Sequence, residues 1–246
     1  MEIIRVKDYE TMSKKASEIV ADRVKTLENP ILGLATGSTP EGMYRYLIEK
    51  YQAGEVSFKS AKSFNLDEYV GLSADDKNSY NYYMFDKFFN HVDILKENVN
   101  LPNGTATDLK QACLDYDQKI KDAGGIDIQV LGIGVNGHIG FNEPGTPFTM
   151  RTHVVDLTES TRQANSIYFS SLDEVPTQAF TMGIGTIMES KEIILLAYGE
   201  SKANAIAQML KGEVTEDLPA SILKNHPNVT VIADEKALSQ IGRAHV

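Results

Sequence analysis

A histidine and a glutamate stand five residues apart in GIGVNGHIGFNEP, residues 132–144, which follow an apolar run at residues 126–131. A histidine near its ordinary pKa of about 6.5 exchanges a proton at neutral pH. A carboxylate bonded to one ring nitrogen fixes the tautomer and raises the proton affinity of the other nitrogen. His138 and Glu143 are therefore typical of a proton shuttle. A purely structural histidine is the competing interpretation, and the surrounding glycines favour the functional one.

The same segment, called here the histidine loop, is a weak candidate for a metal site. It brings only one histidine and one glutamate close together in sequence, with no His-x-x-x-His or paired cysteine spacing. We therefore expect no metal at this place.

A carboxylate pair follows a second apolar run, at residues 63–66. Asp67 then emerges at the carboxyl end of a strand, where ligands bind in open α/β sheets, and a carboxylate shielded from water there can act as a general base. Asp67 and Glu68 point in different directions in most backbone conformations, so only one of them is expected to serve a site. The alternative is a solvated pair that caps the next helix.

A glycine turn, residues 35–39 (ATGST), leads from an apolar strand into a helix. Gly37, Ser38 and Thr39 would present N–H groups and hydroxyls at the positive end of that helix, which is an anion site. The spacing matches neither G-x-G-x-x-G nor G-x-x-x-x-G-K-[ST], so neither a dinucleotide nor a nucleoside triphosphate is indicated. An ordinary capped turn explains the segment equally well.

Two basic residues, Lys202 and Arg162, stand at positions that would allow them to bind one anion together. Lys202 comes after the apolar run 192–197 at the start of a helix, where a cation is locally unfavourable. Arg162 could hold phosphate or hydroxyl groups through its planar guanidinium. A solvated surface lysine is the ordinary alternative for Lys202.

The elements that must position these residues alternate in type along the chain, which predicts an α/β fold with a single doubly wound, mainly parallel sheet covered by helices on both faces. The expected strands are residues 3–6, 30–35, 63–66, 126–131, 153–157, 179–182, 192–197 and 229–233. The expected helices are residues 9–27, 41–53, 79–91, 109–121, 158–169, 201–210 and 234–241. We expect one domain over residues 1–241, with a tail at 242–246 to which no role is assigned.

Composition limits the partners. The 246 residues carry a formal net charge of -10, which repels nucleic acid and anionic membranes, so neither is expected as a partner. The chain has one cysteine, no apparent signal peptide and no apolar run long enough to span a membrane. We expect a cytoplasmic protein; whether it is a monomer or a homo-oligomer is left open.

Taken together, these segments resemble the glucosamine-6-phosphate deaminases. The similarity runs in order along nearly the whole chain through LATGSTP, FNLDEYVGL, GIGVNGHIGFNEPG, TRQANS, GESKA and NHP. The resemblance implies conversion of glucosamine 6-phosphate and water to fructose 6-phosphate and ammonia, without a metal or organic cofactor. It implies that Asp67 moves a proton between C2 and C1, that His138 promotes ring opening, and that Glu143 and Asn136 orient the histidine. It also assigns the phosphate to Thr36, Gly37, Ser38, Thr39, Arg162 and Lys202.

Two departures from the family pattern bear on function. Asn136 stands where well-known members have an aspartate, which keeps an acceptor but removes a charge, so His138 is expected to be less basic. His153 stands where a lysine of an activator site is expected, so we predict little activation by N-acetylglucosamine 6-phosphate, although Arg151 keeps that question open. The alternatives are a 6-phosphogluconolactonase, which shares the fold, and a non-catalytic sugar-phosphate sensor.

Overall fold

The strands owe their composition to burial on both faces. The computed structural model describes residues 1–242, and all six residues of the strand Glu192–Ala197 and of the strand Val229–Asp234 are buried. In chain order the strands are β1 (Glu2–Val6), β2 (Ile31–Leu34), β3 (Lys62–Asn65), β4 (Asp67–Tyr69), β5 (Val99–Asn100), β6 (Ile128–Leu131), β7 (His153–Asp156), β8 (Gln178–Thr181), β9 (Glu192–Ala197) and β10 (Val229–Asp234). Seven of them form a parallel sheet in the order β1-β10-β9-β6-β2-β3-β5.

Helices cover both faces of this sheet. They are α1 (Tyr9–Thr26), α2 (Ser38–Gln52), α3 (Tyr80–Lys87), α4 (Leu109–Asp122), α5 (Glu159–Asn165), α6 (Ile184–Met188) and α7 (Ala203–Lys211), with short 3-10 turns at Phe89–His91, Lys96–Asn98, Ser166–Tyr168, Leu172–Glu174, Glu200–Lys202 and Pro219–Asn225. Successive β9 residues enter opposite cores: Ile194 joins α1, α2 and α3, whereas Ile193 joins α4 and α7. This two-sided packing confirms the α/β fold expected from the sequence.

The edge that carries the site is defined by strand order. β9, β6, β2 and β3 are consecutive neighbours and run parallel, so their carboxyl ends meet at one edge of the sheet. The segments that follow these ends contain Lys202, the histidine loop, the glycine turn and Asp67, respectively. The fold therefore gathers all four segments along one edge, as ligand sites of open α/β sheets require.

Two expected strands leave the main sheet. Residues 153–157 and 179–182 do form β7 and β8, but these pair antiparallel with β4 in a separate sheet of order β4-β8-β7. β7 is half-buried and ends on the exposed Asp156, whereas the central strands β2, β6 and β9 of the main sheet are buried throughout. β4, β5 and α6 were not expected, and each is five residues or shorter.

The helix expected at residues 234–241 is wrong. These residues form turns after Asp234, whose Oδ1 accepts the N–H groups of Gly199 and Ala237. The other expected helices form, with ends shifted by a few residues and with 3-10 turns completing residues 79–91 and 158–169. Of the tail to which no role was given, residues 243–246 lie outside the described part. None of the helices in residues 1–242 is long and apolar enough to cross a membrane.

Candidate active site

Asp67 has an unusual electrostatic environment at the end of β3. It is 8% exposed and no side chain or backbone group of residues 1–242 stabilises its carboxylate by a hydrogen bond. Burial, and then the negative charge of Glu68, raise the pKa of Asp67 to about 8. A carboxylate of that pKa ionises near neutral pH and is a much stronger base than an ordinary aspartate.

Glu68, the neighbouring carboxylate, has a structural role. It accepts the backbone N–H groups of Tyr69, Tyr80 and Asn81, at 2.9 Å each, and so caps the start of α3. Alternation along β4 turns it away from Asp67. The capping alternative therefore describes Glu68 alone, and the expectation that Asp67 is the carboxylate that serves the site stays a prediction.

Asn136 fixes the proton on His138. Its Oδ1 accepts the backbone N–H of His138 at 3.1 Å, and a backbone nitrogen can only donate, so this amide atom is the oxygen. The same oxygen lies 2.7 Å from Nδ1 of His138, which must therefore carry a proton. Nε2 of the neutral ring is left as the acceptor. The amide nitrogen of Asn136 donates to Oε2 of Glu143 at 2.8 Å, which closes the group.

Charges around His138 favour the neutral ring. Burial lowers its pKa, the Glu143 carboxylate opposes that shift from 3.8 Å, and the positive charge of Lys202 lowers the pKa further. The loop fits tightly, since a Cβ at Gly134 would lie 2.1 Å from the imidazole ring. At neutral pH the ring is thus ready to accept a proton at Nε2.

Lys202 reaches the histidine loop from the neighbouring strand. It ends the 3-10 turn Glu200–Lys202 and its Nζ donates to the carbonyl of Ile133 at 2.7 Å. Burial lowers its pKa, and no ion pair within residues 1–242 involves it. A half-buried ammonium without a carboxylate partner is suited to an anionic ligand.

Tyrosine hydroxyls hold the glycine turn from behind. Tyr83 donates to the carbonyl of Gly37 at 2.5 Å, and Tyr9 donates to the carbonyl of Ser38 at 2.7 Å. Gly37 has φ +101°, which other residues rarely adopt, and α2 begins immediately after it at Ser38, two residues before Pro40. The first N–H groups of this helix have no partner within the helix. These N–H groups, at the positive end of the helix, are suited to binding an anion.

Arg162 contacts a neighbouring loop and not the other predicted phosphate-binding residues. It lies on α5, and its Nη2 donates to the carbonyls of Leu172 and Val175, at 3.0 and 2.9 Å. In residues 1–242 no hydrogen bond or ion pair joins it to Lys202 or the glycine turn. The guanidinium binds the loop that follows α5, and its role toward a ligand stays a prediction.

Two contacts made by another face of α5 were not expected from the sequence. Thr161 Oγ1 donates to Oε1 of Glu143 at 3.2 Å, and Asn165 Nδ2 donates to the hydroxyl of Tyr69 at 3.0 Å. Residues four apart lie on one face of a helix, so the polar pair at 161 and 165 was the available signal. Tyr9 and Tyr83 were missed as well, since nothing in their own segments points to residues 37 and 38.

A parallel sheet with a buried carboxyl group, a neutral histidine and a half-buried lysine at the carboxyl edge of its strands defines an α/β enzyme. The family model described as glucosamine-6-phosphate isomerases/6-phosphogluconolactonase matches residues 7–232. The chain belongs to this family, as its motifs predicted.

Full-length relatives are close. The chain is 57% identical over 245 residues to the glucosamine-6-phosphate deaminase of Oceanobacillus iheyensis, covering 100% of this chain and 98% of the relative. It is 59% identical over 239 residues to that of Shouchella clausii, covering 97% of each. A solved monomeric glucosamine-6-phosphate deaminase superposes with a TM-score of 0.95 at 52% identity, covering 97% of this chain and 99% of that one. The 6-phosphogluconolactonase of Trypanosoma brucei shares the fold, with a TM-score of 0.81 at 18% identity.

Proposed function

We propose that this enzyme converts glucosamine 6-phosphate and water to fructose 6-phosphate and ammonia. The observation that carries the proposal is the hydrogen-bonded group Asn136–His138–Glu143 at the same sheet edge as the buried carboxyl group of Asp67. An aldose-to-ketose shift with loss of an amine needs an acceptor for the proton released on ring opening and a separate base for C2. The high identity to full-length deaminases supports the same activity.

Ring opening is assigned to His138. Its Nε2 accepts the proton of the sugar's C1 hydroxyl and returns a proton to the ring oxygen, which leaves an open-chain aldehyde. The proton on Nδ1 stays on the histidine, because the amide oxygen of Asn136 accepts a hydrogen bond from it but is too weak a base to remove it. Glu143 is held by Asn136 and stabilises the positive charge that the imidazole of His138 carries between these two proton transfers.

Proton transfer between carbons is assigned to Asp67. The ionised carboxylate removes the proton from C2 and delivers it to C1, while the aldehyde oxygen takes a proton from the substrate's ammonium group, which gives a C1 hydroxyl and an iminium at C2. Water adds to that iminium, and loss of ammonia leaves the C2 ketone of fructose 6-phosphate. Without bound substrate, the carboxyl group of Asp67, with a pKa of about 8, is mostly protonated at pH 7. The ammonium group of the bound amino sugar favours the ionised form, because an opposite charge nearby lowers a carboxyl pKa.

The phosphate is assigned to the glycine turn and Lys202. Thr36 and Thr39 are half-buried and Gly37 and Ser38 are exposed at the start of α2, where a phosphate would meet free N–H groups. The half-buried ammonium of Lys202 supplies charge in a protein that is otherwise acidic. Arg162 is proposed as a further anchor on family resemblance alone.

Several expectations accompany this proposal. We propose a cytoplasmic enzyme of one domain that needs no cofactor and has no nucleic-acid or membrane partner. Arg151 forms ion pairs with Glu189 at 2.6 Å and Asp117 at 3.6 Å, so its guanidinium already has carboxylate partners. This supports the expectation of little activation by N-acetylglucosamine 6-phosphate.

The proposal is tested by product analysis of the purified protein. Glucosamine 6-phosphate should yield ammonia and fructose 6-phosphate in equal amounts, whereas 6-phosphogluconolactone should not be hydrolysed above the uncatalysed rate. Lactone hydrolysis without ammonia release would support the lactonase alternative. Binding of glucosamine 6-phosphate without any turnover would support the sensor.

A further inference from the structure

We infer that Thr161 of α5 is a positioning residue for Glu143, and that it sets the rate of ring opening through that carboxylate. The inference rests on the proposed function. It concerns a residue that contacts neither of the proton-transfer atoms proposed above.

The two oxygens of Glu143 have different donors from different parts of the chain. Oε2 accepts from Asn136 at 2.8 Å within the histidine loop, and Oε1 accepts from Thr161 at 3.2 Å across 18 residues. Asn136 alone leaves the carboxylate free to rotate about its bonds. With both donors in place, the carboxylate is held with Oε1 3.8 Å from Nδ1 of His138. Thr161 therefore supplies the second of the two restraints.

The hydroxyl of Thr161 is oriented for this task. Thr158 is the N-cap of α5, and its hydroxyl accepts the N–H of Thr161 and donates to Oγ1 of Thr161 at 2.9 Å. Since Oγ1 already accepts from Thr158, its own single proton is directed to Glu143. Hydrogen bonds that run in one direction through a chain of hydroxyls strengthen one another.

A second contact fixes α5 against the site one turn later. Asn165 donates to the hydroxyl of Tyr69, which lies on β4 two residues after Asp67. Thr161 and Asn165 are four residues apart and both half-buried, whereas Ser160 and Gln163 on the same helix are exposed. One face of α5 thus joins the loop that carries His138 to the strand that carries Asp67.

The test uses Thr161→Val, which keeps the shape of the side chain but removes the hydroxyl, and Thr161→Ser, which keeps the hydroxyl. Gln163→Ala is the matched control, because it truncates an exposed polar side chain of the same helix. For Thr161→Val we expect kcat to fall about 10- to 100-fold, as for loss of a hydrogen bond to a charged group, with KM changed by less than about threefold. Thr161→Ser and Gln163→Ala should retain kcat within about threefold of wild type.

The isotope effect with glucosamine 6-phosphate deuterated at C2 locates the affected step. When ring opening becomes slower, transfer of the C2 proton limits the rate less, so the isotope effect on kcat in Thr161→Val should equal or fall below that of wild type. A larger isotope effect would place the defect at Asp67 and overturn the inference, as would a normal kcat in Thr161→Val or failure of Thr161→Ser to restore it. Absence of turnover in wild type would instead refute the proposed function.

Discussion

The side-chain amide of Asn136 determines which nitrogen of the His138 ring carries the proton. Oδ1 of Asn136 accepts both the backbone N–H and the ring Nδ1–H of His138, at 3.1 and 2.7 Å. An aspartate at this position would make the same two contacts and add a negative charge. It could not donate to Glu143, as the amide nitrogen does at 2.8 Å. The asparagine therefore keeps the ring neutral while holding the glutamate beside it.

Asn136→Asp should raise the pKa of His138, because a carboxylate 2.7 Å from Nδ1 favours the imidazolium form. The acidic limb of the kcat/KM profile then moves to higher pH, since only the neutral ring accepts a proton at Nε2. NMR titration of the His138 ring measures the shift directly. Asn136→Ala, which removes the acceptor without adding charge, is the control and should not raise this pKa. An unchanged or lower pKa in Asn136→Asp would contradict the electrostatic argument.

How much of this could be read from the sequence depends on distance along the chain. Local motifs were sufficient to place Asp67, Asn136 and His138 directly after strands. The parallel order of those strands then brings the three residues to one edge of the sheet. The contact of Thr161 with Glu143 depends on how α5 packs, which no local pattern specifies. The wrong helix at 234–241 has the same cause. Its apolar residues are buried as expected, but Asp234 binds Gly199 from a distant loop and the chain turns instead.

Asp67→Asn should lower kcat about 10²- to 10⁴-fold, because it removes the base proposed for C2. The asparagine has the shape of the protonated carboxyl group that predominates in the free site at pH 7, so binding of glucosamine 6-phosphate should weaken little. Calorimetric titration of the inactive variant measures that binding. Near-normal turnover would refute the assignment of Asp67.

The pKa of Asp67 also predicts a dependence of stability on pH. Because burial raises this pKa to about 8, the protonated form stabilises the fold. That contribution is complete below the pKa of the unfolded aspartate, about 3.9, and is lost as the pH rises through about 8. Asp67→Asn has no such loss, so its free energy of unfolding should increase relative to wild type between pH 6 and pH 9. Urea unfolding at both pH values measures it, and a relative gain by wild type at pH 9 would contradict the prediction.

Lys202→Met keeps the apolar stem of the side chain and removes the charge. We expect KM for glucosamine 6-phosphate to rise about 10- to 100-fold, as for loss of a hydrogen bond to a charged group. The pKa of His138 should rise as well, because the Lys202 charge lowers it in wild type. Lys211→Met, at the opposite end of α7, is the control and should leave both values unchanged. An unaltered KM in Lys202→Met would place the phosphate anchor elsewhere.

Tyr83→Phe tests whether the glycine turn is held in shape from behind. The hydroxyl of Tyr83 binds the carbonyl of Gly37 at 2.5 Å, and its loss leaves that carbonyl free to turn toward the phosphate, which repels it. We expect KM to rise about 3- to 10-fold with kcat within about twofold of wild type, because a neutral hydrogen bond that orients a binding group affects ground state and transition state alike. Tyr82→Phe is the matched control, since the adjacent Tyr82 is 39% exposed. Steady-state kinetics on both variants decides the point: an equal rise in KM for Tyr82→Phe, or a loss confined to kcat in Tyr83→Phe, would show that the hydroxyl does not act through the turn.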